Sequence, residues 1–235
     1  MTPEIALLTL SAAVIAFIHT VLGPDHYLPF IAMAKAREWD LQRTIRVTLA
    51  CGIGHLAGSV ILGLVGIALG TQLSSLEWLE RVRGGLAAWL LIGFGLMYMA
   101  WGLRLAYRNR PHNHWHVHAG SVHQHEHNHR GNHAHVHESA KRSLAPWIIF
   151  VIFILGPCEP LIPLLMYPAA KESLLGVLLV TTVFGLVTVA TMTTIVAIAY
   201  LGVSTINLNR FERFSHAAAG GTILICGLAV ASLGI

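Results

Sequence analysis

His19-Thr20-Val21-Leu22-Gly23-Pro24-Asp25-His26 lies inside a run, 5–34, that is otherwise apolar. About thirty residues of helix would extend roughly 45 Å, more than the hydrocarbon core of a bilayer requires. The Gly-Pro pair removes a backbone donor and disfavours helix just before it. The stretch therefore reads as a membrane helix broken into two halves, with an Asp and two His gathered at the break. An ionised Asp at the centre of a spanning helix costs about 2.5–3.5 kcal/mol on insertion scales, so Asp25 is a functional candidate.

The rest of the composition agrees with a membrane setting. Of 235 residues, 55% are hydrophobic and only 11% charged, and the mean hydropathy is +0.65. Soluble domains carry about 25% charged residues. The three cysteines, Cys51, Cys158 and Cys226, all fall in apolar segments and suggest no disulfide framework. Residues 1–4 carry no Lys or Arg ahead of the apolar run, so no cleavable signal is expected. The basic pI of 9.2 is not read as nucleic-acid binding, because the basic residues are spread over the connections between apolar segments.

Six such segments emerge: 5–34 (broken), 45–70, 84–107, 145–168 (broken), 174–202 and 216–235. Twelve Lys and Arg fall in the odd-numbered connections, against Arg81, Arg83 and Lys171 in the even ones. The positive-inside rule then puts the odd connections in the cytoplasm and both termini outside. An internal repeat sharpens the plan. Leu22-Gly23-Pro24-Asp25-His26-Tyr27-Leu28 aligns with Leu155-Gly156-Pro157-Cys158-Glu159-Pro160-Leu161 at an offset of 133, which also places Gly52 on Gly185 and His55 on Thr188. Three helices per half give the halves opposite orientations. The expectation is an all-α, polytopic membrane protein of six transmembrane helices in two inverted three-helix repeats, with helices 1 and 4 broken at Gly-Pro. The divisions are 1–107 for the first repeat, 108–144 for a His-rich loop and 145–235 for the second repeat.

That loop differs in kind from the other connections. It holds His112, His114, His116 and His118, then His123, His125, His127 and His129, then His133, His135 and His137. Polar and small residues fill most of the remainder, so no core is expected and the segment should lack fixed structure. A solvated linker is the plain alternative. Eleven imidazoles in so short a tract favour an auxiliary metal-binding loop on the cytoplasmic side.

At the breaks, Pro24 and Pro157 each suit the first position of a half-helix, which would place Asp25 and Glu159 at its positive end. Two carboxylates could neutralise a divalent cation, and imidazole from His19, His26 and His55 would select transition metals over Mg²⁺ and Ca²⁺. Cys158 is either a ligand or a packing residue, and His19 and His55 could each serve only packing. The expected metal site is His19, Asp25, His26, His55, Cys158 and Glu159.

With these residues the chain resembles the nickel/cobalt permeases of the NicO and urease-accessory type, whose relatives carry H-x-x-x-x-D-H in an early helix. Here His19 precedes Asp25-His26 with one additional residue between. The resemblance implies a permease rather than an enzyme, carrying Ni²⁺ or Co²⁺, with Zn²⁺ also considered, across a bacterial inner membrane. The His-rich loop tilts the direction toward efflux. The metal is cargo, so no permanently bound cofactor is expected; protons are the expected coupling ion, the bilayer is the setting and nucleic acid is not a partner.

Gly156-Pro157-Cys158 at a broken helix also resembles the membrane thiol–disulfide electron carriers of cytochrome maturation. Those require one redox cysteine in each repeat, and the position equivalent to Cys158 is Asp25. The couple could form only if Cys51 or Cys226 approached. A third alternative is an exporter of small organic solutes, in which half-helix N-termini would hold a carboxylate.

Overall fold

A computed structural model describes residues 3–108, 112–118, 121–127, 144–171, 173–204 and 212–233. Eight α-helices are found among them: α1 (Pro3–Leu22), α2 (Leu28–Ala36), α3 (Leu41–Ala68), α4 (Leu73–Arg108), α5 (Ala145–Leu155), α6 (Leu161–Ala170), α7 (Leu174–Ser204) and α8 (Ser215–Leu233). Five of them, α1, α3, α4, α7 and α8, are long and apolar enough to cross a membrane. Large apolar side chains such as Leu10, Phe17, Trp89, Ile198 and Ile225 stand on the outer surface. Exposed apolar surface on long helices whose backbone groups are satisfied internally is what a lipid solvent demands. The chain is a multi-pass membrane protein.

Both Gly-Pro pairs interrupt helix, but the half-helices differ from expectation. α1 ends at Leu22 after twenty residues, already about 30 Å, so the first break closes a full-length helix instead of bisecting one. Pro24–His26 then form a 3₁₀ turn, and α2 opens with Pro29 in its first turn. Pro157 likewise stands outside α6, which begins at Leu161. Neither Pro24 nor Pro157 opens an α-helix. Each disrupts the chain, and a later residue restarts it. The 11-residue α5 and 10-residue α6 are each too short to span alone.

α4 also starts earlier than the apolar pattern suggests. Leu73–Arg83, read from the sequence as connection, is helical, so Glu80 and Arg83 lie within a 36-residue helix. No Gly or Pro interrupts that stretch, and opposite charges at i and i+3 support a helix.

Small residues set the packing of α4 on α8. A Cβ on Gly95 would fall 2.5 Å from Leu224 N, and one on Gly102 or Gly220 would overlap the facing backbone at Ala217 or Met99. In a bilayer such close backbone approach replaces the missing hydrophobic drive between helices. α1 packs on α7, α3 on α5 and α7, α6 on α7, and α2 on α8. At one end of the bundle, Arg37 Nε donates to Tyr98 Oη at 2.9 Å, and the Tyr98 hydroxyl lies 3.0 Å from His216 Nδ1.

Only 112–118 and 121–127 of the His-rich loop lie among the described residues beyond Arg108 and Leu144. Residues His112–His118 (β1) and Ser121–His127 (β2) form an antiparallel hairpin pairing His112 with His127, His114 with His125 and His116 with His123. The histidines recur at every second position, with Trp115 and Val117 between those of β1, which is the period of a strand. His129, His133, His135 and His137 lie outside the described residues.

Candidate functional site

The first break is shaped by the residues that end α1. Gly23 N donates to His19 O at 3.0 Å, and His26 N donates back to Gly23 O at 3.1 Å. This tight return carries His26 beside His19, with ring centroids 4.9 Å apart. α3 delivers His55 to the other side of His26, at 5.1 Å. One ring nitrogen from each of the three lies within 4.8 Å of the others. His26 and His55 are buried, each 3% exposed, and His19 is half-buried.

Backbone carbonyls orient two of these rings. His55 Nδ1 lies 3.2 Å from Phe153 O, in the last turn of α5. His26 Nδ1 lies 3.2 Å from Gly23 O and the same distance from Asp25 Oδ1. A carbonyl can only accept, so each Nδ1 carries the proton and donates it. The Nε2 atoms of His19, His26 and His55 are buried and make no hydrogen bond among the described residues. Both break glycines abut these rings: a Cβ on Gly23 would come 2.5 Å from His26 Nδ1, and one on Gly156 would come 3.1 Å from His55 Nδ1.

The second break is held by a buried ion pair that sequence reasoning missed. Glu80, 1% exposed, accepts from Arg83 Nη1, from Ser59 Oγ at 3.3 Å and from the Cys158 backbone N–H at 3.2 Å. Arg83 Nη2 donates to Ile154 O at 2.9 Å, supplying a partner for a carbonyl freed where α5 stops. The i, i+3 spacing of Glu80 and Arg83 was the available signal, obscured because the segment was read as connection.

The expected ligand set is therefore divided. His19, His26 and His55 come together, with Asp25 beside them. Cys158 belongs to the second break and is fully buried among Ala12, Ala16 and Leu161. Glu159 is exposed and outside the cluster. The buried carboxylate at that break is Glu80. A cleft of only about 10 Å³, lined by Asp25, His55, Gly156, Pro157 and Val230 among others, joins the two breaks to α8.

Cys226 enters from α8. Its Sγ lies 3.9 Å from Pro24 O, so a thiol stands at the first break although that break's own sequence has none. All three cysteines are free and buried.

Residues 28–229 match the family model described as the cytochrome C biogenesis protein transmembrane region. The chain belongs to that family. No curated protein matches it, and no solved structure does.

Membership in the cytochrome C biogenesis transmembrane family overturns the nickel/cobalt permease resemblance. With it fall metal transport as the function, efflux as its direction, and Ni²⁺, Co²⁺ or Zn²⁺ as cargo. The resemblance rested on His19, Asp25 and His26 with a spacing one residue too long, and on Gly-Pro breaks. A Gly-Pro break is a backbone device that different transmembrane chemistries can share. Gly156-Pro157-Cys158 pointed toward the family that the match identifies.

Proposed function

We propose that this chain carries electrons across the membrane by thiol–disulfide exchange, with Cys158 and Cys226 as the redox couple. The observation that carries the pairing is the approach of Cys226 Sγ to Pro24 O. It brings a second thiol to the break whose repeat-equivalent position is occupied by Asp25. Val230, one turn beyond Cys226 on α8, lines the same cleft as Gly156 and Pro157, so α8 reaches both breaks.

Each cycle moves two electrons and two protons. A protein dithiol on one side attacks the Cys158–Cys226 disulfide, passes through a mixed disulfide and leaves oxidised. Its two protons end on Cys158 and Cys226. The regenerated thiols then reduce a protein disulfide on the other side. Both sulfurs are buried, so exchange requires the breaks to open, and irregular backbone between short helices is where opening costs least.

The proposed setting is a bacterial inner membrane, with six crossings in two inverted repeats, both termini outside and the His-rich loop cytoplasmic. The packing supports the repeat: across the two halves, α1 on α7 corresponds to α5 on α3, while α4 on α8 maps onto itself. Exchanging the two halves predicts that pattern.

Peptide mapping after mild oxidation of the purified chain tests the couple. A Cys158–Cys226 disulfide is expected. In proteoliposomes with a dithiol outside and a disulfide reporter inside, Cys158→Ser and Cys226→Ser should each abolish reporter reduction, while Cys51→Ser leaves it intact. Transfer that survives Cys226→Ser would refute the pairing.

A further inference from the structure

The thiol reading leaves the three histidines without a task. We infer that His19, His26 and His55 hold a resident, non-transported transition-metal ion through three imidazole nitrogens. Two independent observations point the same way. A ring nitrogen from each residue converges within 4.8 Å, and the Nε2 atom of each is buried without a hydrogen-bond partner among the described residues. Buried polar atoms are ordinarily satisfied, so three orphans in one place call for a ligand.

The protonation pattern specifies its charge. His26 and His55 spend their Nδ1 protons on the Gly23 and Phe153 carbonyls. In the neutral rings this leaves bare lone pairs on Nε2, and lone pairs gathered in a buried site attract a cation. A ligating imidazole characteristically has its other nitrogen donating to a carbonyl or carboxylate, which fixes tautomer and direction. The two anchoring carbonyls lie where α1 and α5 end, and each also accepts a backbone N–H from three residues on, that of His26 or Gly156. Thus the breaks that interrupt the helices also aim the imidazoles.

Three imidazoles exclude Mg²⁺ and Ca²⁺, which take oxygen ligands, and suit zinc or copper. Metal–nitrogen bonds of about 2.0 Å need nitrogens about 3.3–3.5 Å apart, so the cluster must contract modestly on binding. Asp25, beside His26, offers one negative charge against the ion. The site is a binding site in its own right and does not depend on the thiol couple.

The test is metal retention by the full-length chain purified in detergent. Samples are loaded separately with Zn²⁺ or Cu⁺, then dialysed against excess chelator, which competes for ions held by the His-rich loop. About one equivalent should remain, with three nitrogen scatterers near 2.0 Å in X-ray absorption. His26→Gln and His55→Gln should each lose it while staying monodisperse. Gly23→Ala, which displaces the His26 ring while keeping all three ligating residues, should weaken binding about 10–100-fold, the range for disturbing a ligand's support. Retention of neither ion, or equal retention by His26→Gln, would overturn the inference. Alkylation of Cys158 and Cys226 before and after oxidation reads the thiol couple separately, so the two ideas fail independently.

Discussion

Glu80 and Arg83 explain how a break can persist inside a low-dielectric bundle. A helix that stops leaves carbonyls and N–H groups without partners, and in a bilayer no water replaces them. Arg83 takes the Ile154 carbonyl, and Glu80 takes the Cys158 N–H. Removing one member of such a pair strands the other. Glu80→Ala should destabilise the protein by about 3–5 kcal/mol, measured by unfolding in mixed micelles. Glu80→Gln retains an acceptor for Ser59 and Cys158 and should cost clearly less. Equal losses would mean that the charge, and not the hydrogen bonding, supports the turn.

Helix contacts are decided by where side chains are absent. Gly220 faces the Met99 backbone so closely that a methyl group would overlap it, whereas a Cβ on adjacent Gly221 would sit 3.7 Å from Met99 Sδ, an ordinary contact. Gly220→Ala should therefore lower stability by about 1–3 kcal/mol, as overpacking does. Gly221→Ala serves as the internal control and should be nearly neutral. Thermal unfolding of both variants in one detergent makes the comparison. If Gly221→Ala were the more damaging, the assigned α4–α8 face would be incorrect. Gly84 belongs to the same class, since a Cβ there would meet Pro157 Cγ at 2.7 Å. The helix that packs on α8 thus also abuts the second break.

Topology turns on α5 and α6. Five helices are long enough to cross alone, and five crossings would leave the termini on opposite sides. If α5 and α6 together make one crossing, the termini share a side, as the inverted repeat requires. Labelling tags at both ends with a membrane-impermeant reagent in intact and permeabilised cells decides between these. The expected result is both tags labelled in intact cells, with the His-rich loop protected.

What the sequence determined by itself was the solvent and the punctuation. Length, hydropathy and scarce charge require a membrane, and Gly23-Pro24 and Gly156-Pro157 require breaks wherever the chain folds. These are local properties of backbone and transfer free energy, legible one segment at a time. Tertiary structure decided which side chains meet. His19, seven residues before His26, and His55, far along the chain, converge because a 3₁₀ turn follows α1 and α3 carries His55 against His26. Cys226 comes to the first break on a helix with no motif of its own, and Glu80 displaces Glu159 as the carboxylate at the second. Hydrophobic periodicity could not foresee these pairings, because a helix in lipid buries its small and polar residues by packing against a particular neighbour. That neighbour exists only once the bundle has formed.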